Sequence, residues 1–278
     1  MSVVRTIRSW WVDIVALVVV GVIFVVPFIF ILFTAAKDRV EAARFEFSPP
    51  TDWLLFQNLA EVLDARNGLV VTAMRNSLIL TVASVAILVV LAAMVGYVLQ
   101  RRRDRMAALV TALMLAGLII PPAIVPTIYV LQSLGLFKTI IGLTLVEVAF
   151  LLPFSVLIFR AFVGSIPREL DEAAIIDGAS AIQLFRHVIF PLLRPAVITV
   201  IVVSAVAVYN DFVNPLYFLP GNENATVQLT LFNFTSQMSS RWQLLFADVL
   251  LITIPPLIMF IFFQRQIVSG MAAGAVKG

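Results

Sequence analysis

The sequence predicts an all-α integral membrane protein: six transmembrane helices with a cytoplasmic helix–turn–helix loop. Three observations predict it. First, 62% of the 278 residues are hydrophobic and 13% are charged, about half the charge of a globular domain, ~25%. A soluble domain of this size has no core large enough for so much apolar surface. Second, six windows are apolar enough and long enough to cross a bilayer, which takes ~20 residues per helix. Third, basic residues fall unevenly on the connecting segments. The same composition excludes other classes. No cysteine is present, so there is no disulfide framework and no thiolate zinc site. The single histidine, His187, cannot form a multi-histidine metal site. A net charge of +3 gives no reason to expect nucleic acid as a partner.

The windows, in chain order, are about 14–34, 76–100, 107–131, 140–160, 195–218 and 243–264, and the chain 1–278 reads as one transmembrane domain. The first follows Arg5 and Arg8, but it is longer than a signal-peptide core and no A-x-A site follows it, so it reads as a retained helix. The fourth, fifth and sixth contain the acids Glu147, Asp211 and Asp248; Asp248 is expected to reach the membrane interface. The runs are continuously apolar rather than alternating, which argues against a β-barrel. The pairs Pro121-Pro122 and Pro255-Pro256 suggest bent helices around a cavity.

Segments one, three, five and seven carry 12 of the basic residues, and the other side carries seven. The positive-inside rule therefore places both termini in the cytoplasm. The four arginines within 101–105, in a very short loop, are the firmest anchor; a lipid-binding patch is the alternative reading.

The loop at about 164–192 has the strongest signal. Pro167 suits a first helical turn, and Glu169, Asp171 and Glu172 suit the positive end of that helix. Gly178 stops it. Ser180 and Gln183 match a capping box for a second helix, and Pro191 precedes re-entry. An interfacial helix would be rich in Lys and Arg, whereas this one is acidic. It reads better as a docking element for a cytoplasmic protein.

Glu172-Ala173-Ala174, Gly178 and Val188-x-Phe190-Pro191 together resemble the "EAA" loop of permease subunits of ABC importers. Val188 and Phe190 depart from the family's Ile and Leu, both conservatively. Asn76-Ser77-Leu78, Ile120-Pro121, Leu134-Gly135-Leu136, Asn210-Asp211-Phe212 and the tail around Gly270 to Gly278 extend the resemblance along nearly the whole chain, toward the maltose-type carbohydrate branch. The resemblance implies the type I permease fold in a bacterial or archaeal cell membrane, with transport by alternating access. It also implies a heterodimer with a second permease subunit, two ATPase subunits below, an extracytoplasmic solute-binding protein and a carbohydrate substrate. No G-x-x-x-x-G-K-[ST] phosphate loop occurs. The chain is accordingly expected to be no enzyme and to hold no cofactor; ATP and Mg would be bound by the partner ATPases.

By the same resemblance, Glu169, Glu172, Ala173, Ala174, Asp177, Gly178 and Pro191 would couple to the ATPase. The tail residues Gly274, Ala275, Lys277 and Gly278 would be a second contact, although without the resemblance a disordered end is the plainer reading. Tyr209, Asn210 and Asp211 offer an aromatic face and hydrogen bonds to a sugar pathway, with Glu147 on the same cavity. Inter-helix hydrogen bonds, a gate or a contact to the partner permease are equally open. An ion-coupled secondary transporter of a small solute is the alternative function; it would need a midplane ion site.

Overall fold

The computed structural model describes residues 2–234 and 240–275, and these are helical almost throughout. In chain order the helices are α1 (Ser2–Ala36), α2 (Arg39–Ala42), α3 (Leu55–Arg101), α4 (Arg105–Ile119), α5 (Ile124–Ser133) and α6 (Ile140–Gly164). They continue with α7 (Glu169–Ile176), α8 (Ala181–Leu184), α9 (Phe190–Leu192), α10 (Arg194–Asn210), α11 (Val213–Phe218), α12 (Val227–Thr230) and α13 (Trp242–Ala275). Among the described residues four helices are long and apolar enough to cross a membrane alone, and up to six spans result if each bent helix pair is one span.

Two of the six expected spans are broken, each for a local reason. The window 107–131 is α4 and α5, bent by 116°. Pro121 and Pro122 cannot donate to the helical ladder, and a residue before proline is driven out of the helical region. Ile120 accordingly takes φ −76°, ψ 126°. The window 195–218 is interrupted after Asn210. Asp211 is extended, with ψ 128°. Its Oδ1 accepts from the amides of Val213 at 2.9 Å and Asn214 at 3.4 Å, starting a new helix instead of continuing the old one. The second proline pair behaves differently: Pro255 and Pro256 lie inside α13 without ending it. Helix α3 begins far before residue 76 and is itself interrupted at Ala65–Gly68. There Arg66, Asn67 and Gly68 hold left-handed φ of 49°, 60° and 73°, a conformation that asparagine and glycine tolerate best.

The chain divides into two compact units. One comprises Met1–Val71 and Thr230–Ile254. Its most unusual feature is Lys37, which is fully buried and donates to the Glu46 carbonyl at 2.7 Å and to Ser48 Oγ at 3.1 Å. Asn58 Nδ2 closes the same turn by donating to the carbonyls of Ala35 and Lys37 at 2.8 and 3.0 Å. Rings surround this polar knot: Phe30 stacks on Phe47, and Phe45 meets Trp242 edge-on at 4.8 Å. Asp248 is completely buried, and accepts from Thr230 Oγ1 at 2.8 Å.

The other unit comprises Thr72–Leu229 and Pro255–Gly278. Its core joins α3, α6 and α10 through Leu88, Ala92, Val156, Phe159, Ala196 and Val200. Gly96 permits the close approach of α3 to α6: a Cβ there would stand 2.8 Å from Phe159 Cβ and 3.0 Å from the Arg160 nitrogen. At one end, Asn76 Nδ2 donates to the Ala225 carbonyl at 3.1 Å, and Ser77 Oγ accepts from the Val227 amide at 3.0 Å.

Candidate functional site

The helix–turn–helix forms as its sequence predicts, two residues later at the start. Pro167 precedes the helix, and α7 starts at Glu169. Its end is a complete Schellman turn: the amide of Gly178 donates to the Ile175 carbonyl at 3.0 Å and that of Ala179 to Ala174 at 2.9 Å. Gly178 holds φ +81° with nothing within 4 Å of where a Cβ would be, so backbone conformation alone calls for glycine. The Ser180–Gln183 capping box is present in both directions. A π-helical turn (Phe185–Ile189) leads into α9, and the whole element meets α10 at 75°.

The residues of α7 divide between two faces. Glu169, Glu172, Ala173 and Asp177 are exposed, and so are Ile176 at 85% and, on α8, Ile182 at 76%. Ala174 is buried in the core with Ala179 packed beside it, so the two alanines of the motif do not share a surface. Pro191 is exposed on α9.

Asp171 also turns inward, unlike the three acids around it. Its Oδ2 stands 2.6 Å from Arg101 Nε, with the two side chains 12% and 14% exposed. Tyr97 Oη donates to its other oxygen at 3.2 Å, and Arg101 donates to the Ile166 carbonyl at 3.1 Å. The arginine also lies 5.9 Å over the Tyr97 ring. Thus the end of α3 grips α7 from behind. In the sequence Arg101 reads as a topology anchor, and Tyr97 does not stand out. The available signal was their i, i+4 spacing, which puts a phenol and a guanidinium on one helix face.

The intramembrane polar residues are brought together, but mostly with one another. Glu147 is 3% exposed; its Oε1 accepts from Asn214 Nδ2 at 3.1 Å, and the Asp211 carboxyl is its neighbour. Asp211 thus serves both the start of α11 and the Glu147–Asn214 contact. Asn214, one helical turn after Asp211, was not singled out in the sequence. Asn210 is exposed, and its Oδ1 accepts from Gln228 at 3.3 Å. Tyr209 lies on a different surface, the wall of a cavity of about 580 Å³ between α3, α10 and the second half of α13. Apart from Tyr209 and Thr81 that wall is apolar, including Val85, Ile201, Pro255 and Met259, and it offers a sugar few hydrogen bonds. Of the tail residues, Gly274 and Ala275 continue the backbone of α13, while Lys277 and Gly278 lie outside the described residues. Among the described residues no group of three or more acidic or imidazole side chains could hold a metal.

Residues 89–273 match the family described as "Binding-protein-dependent transport system inner membrane component". The chain is 31% identical to a putative ABC transporter permease protein of Caldicellulosiruptor sp. (strain Rt8B.4), over 100% of both chains. It is 32% identical to the diacetylchitobiose uptake system permease protein DasC of Streptomyces coelicolor, covering 96% of this chain and 97% of that one. The melibiose/raffinose/stachyose import permease protein MelC of Bacillus subtilis is 29% identical over 91% of each. A chain of a bacterial ABC transporter that imports the acidic polysaccharide alginate superposes with a TM-score of 0.79 at 20% identity, covering 94% and 97% of the two chains. At that identity the likeness shows the fold.

Proposed function

Because this chain belongs to the family of binding-protein-dependent transport system inner membrane components, we propose that it is the membrane-spanning subunit of an ATP-driven importer of a sugar or oligosaccharide. The carbohydrate is inferred from relatives named for melibiose, raffinose and stachyose, for diacetylchitobiose and for starch degradation products.

One observation carries the reading: an element braced from behind and left open in front. The Arg101–Asp171 pair fixes α7 to α3, while Glu169, Glu172, Asp177, Ile176 and Ile182 project outward. Two isoleucines this exposed among acids fit an apolar cleft with a basic rim in a partner protein, and burying each would contribute about 2 kcal/mol. The partner is an ATPase subunit, one of two, which binds the ATP and Mg that this chain has no phosphate loop to hold. Closure of the ATPase pair would push on α7 and α8; the brace would pass that movement into α3, and Ile189 and Leu193 in the core would pass it into α10.

The chain works as a heterodimer with a second permease subunit in a bacterial or archaeal cell membrane, its termini in the cytoplasm, and receives substrate from an extracytoplasmic binding protein. It performs no catalysis itself. The tail at Gly274, Ala275, Lys277 and Gly278 is a second ATPase contact. Asn210 lies on the substrate pathway, whereas Glu147, Asp211 and Asn214 hold the broken fifth span to α6 as an internal hinge.

The test is co-purification of the assembled complex. Glu172→Lys and Ile176→Asp should each lose the ATPase subunits while membrane insertion and the companion permease are retained. Undiminished ATPase recovery and substrate-stimulated hydrolysis in both variants would refute the coupling role.

A further inference from the structure

Two basic clefts lie side by side where α3 and α6 end and α4 begins, and the proposed function does not use the smaller one. One, of about 420 Å³, is lined by Arg102, Arg103 and Arg160 together with Ala108, Ala112 and Leu115 of α4. The other, of about 600 Å³, shares those arginines and adds Arg168 and the Arg101 that pairs with Asp171. The charges are not balanced. Arg102 meets Asp104 at 3.5 Å, and Asp104 is already engaged in capping α4 through the Ala107 amide at 2.8 Å. Glu169 lines the larger cleft only. Arg160, half-buried, donates to the neutral Gln100 Oε1 at 3.3 Å and Thr111 Oγ1 at 3.0 Å, and no carboxylate among the described residues lies within 4 Å of it. Arg103 has no acidic partner among the described residues either, and it is exposed.

A half-buried guanidinium held by neutral groups keeps an unspent charge directed at whatever fills the cleft. The second property of the smaller cleft says what that is. Its far wall is hydrocarbon: Ala108, Ala112 and Leu115 follow one face of α4 at helical spacing, toward the part of the helix where Leu109 and Leu113 are exposed. A site with cations at the membrane surface and a small-residue apolar slot running into the membrane fits an amphiphile with an anionic head.

We propose that Arg103 and Arg160 bind the phosphodiester headgroup of an anionic glycerophospholipid, with one acyl chain along Ala108, Ala112 and Leu115. The site requires only that α3, α4 and α6 end at a membrane surface, so it stands apart from the coupling role of α7. A lipid bound there would wedge between the α4 N-terminus and the Gln100–Arg160 contact, and so fix the short loop that joins α3 to α4.

Native mass spectrometry of the assembled transporter tests this, with phosphatidylglycerol against phosphatidylcholine of the same acyl chains and with inorganic phosphate alone. Phosphatidylglycerol should be retained preferentially. Arg103→Gln should weaken its retention about fivefold, equivalent to about 1 kcal/mol, and Arg160→Gln by at least as much. Leu115→Trp should weaken it by filling the slot without changing any charge. Arg103→Gln alters an exposed side chain, so it remains informative should Arg160→Gln disturb assembly. Equal retention of the two lipids, undiminished retention in Arg103→Gln and Leu115→Trp, or full displacement by millimolar phosphate would overturn the proposal.

Discussion

Replacing Asp171 by alanine removes the grip of α3 on α7, and its cost can be worked from the site. The carboxylate is lost from a pair at 2.6 Å whose side chains are 12% and 14% exposed. What remains is a largely buried Arg101 with the Ile166 carbonyl and the Tyr97 ring for company. Breaking a buried pair from one side costs about 3–5 kcal/mol; residual solvent at a helix end favours the lower figure. Tyr97 also loses its acceptor, about 1 kcal/mol more. A loss of about 4 kcal/mol lowers the ratio of docked to undocked α7 nearly a thousandfold. Hydrogen exchange over residues 164–192 should accelerate by that order, and transport by the reconstituted complex should fall with it. The double variant Arg101→Met/Asp171→Leu should recover most of both, since an apolar pair replaces a charged one at little cost. Exchange in Asp171→Ala no faster than in the parent would refute the brace. So would a double variant as impaired as the single one.

Gly96→Ala should lower stability by about 1–3 kcal/mol, because the new methyl meets Phe159 Cβ at 2.8 Å and α6 backbone at 3.0 Å; an unchanged thermal midpoint would contradict the close approach. Gly178→Ala meets no atom, so only its +81° φ is strained, at about 1–2 kcal/mol; Gly178→Asn should restore part of the lost transport-coupled ATPase activity, and equal loss in both would argue against a backbone cause. Asn58→Leu strands the carbonyls of Ala35 and Lys37 at about 1–3 kcal/mol each; protease resistance of the segment 37–54 should fall, and full retention would remove Asn58 as its clasp.

What was legible in the sequence is what local rules decide. Four of the six apolar windows fall on long helices, and the Gly178 stop and the Ser180–Gln183 box form as their spacing predicts. The break at Ile120 was half legible: the proline pair announced a bend, but not that the helix would end and restart at 116°. The break at Asp211 turns on a choice that periodicity does not register, a carboxylate capping two amides rather than facing a pathway. Other features depend on partners far along the chain. In the sequence Asp171 resembles its acidic neighbours; what sets it apart is Tyr97, 74 residues away, which donates to it. Nothing local to Lys37 reveals that Glu46 and Ser48 fold over it. Gly96 carried no signal, because its reason is the backbone of another helix.

Asn76 and Ser77 have a consequence for how the chain is made. Both are nearly fully buried, and their partners, Ala225 and Val227, lie 149 and 150 residues later. At a synthesis rate of roughly 5–20 residues per second, the side chains of Asn76 and Ser77 are inserted roughly 7–30 seconds before those partners exist. An amide left unpaired in hydrocarbon is costly, so through that interval the second span has reason to linger near water or beside the insertion machinery. Ribosome pausing within that stretch would prolong the exposure, and quality-control proteases would have their widest opportunity there.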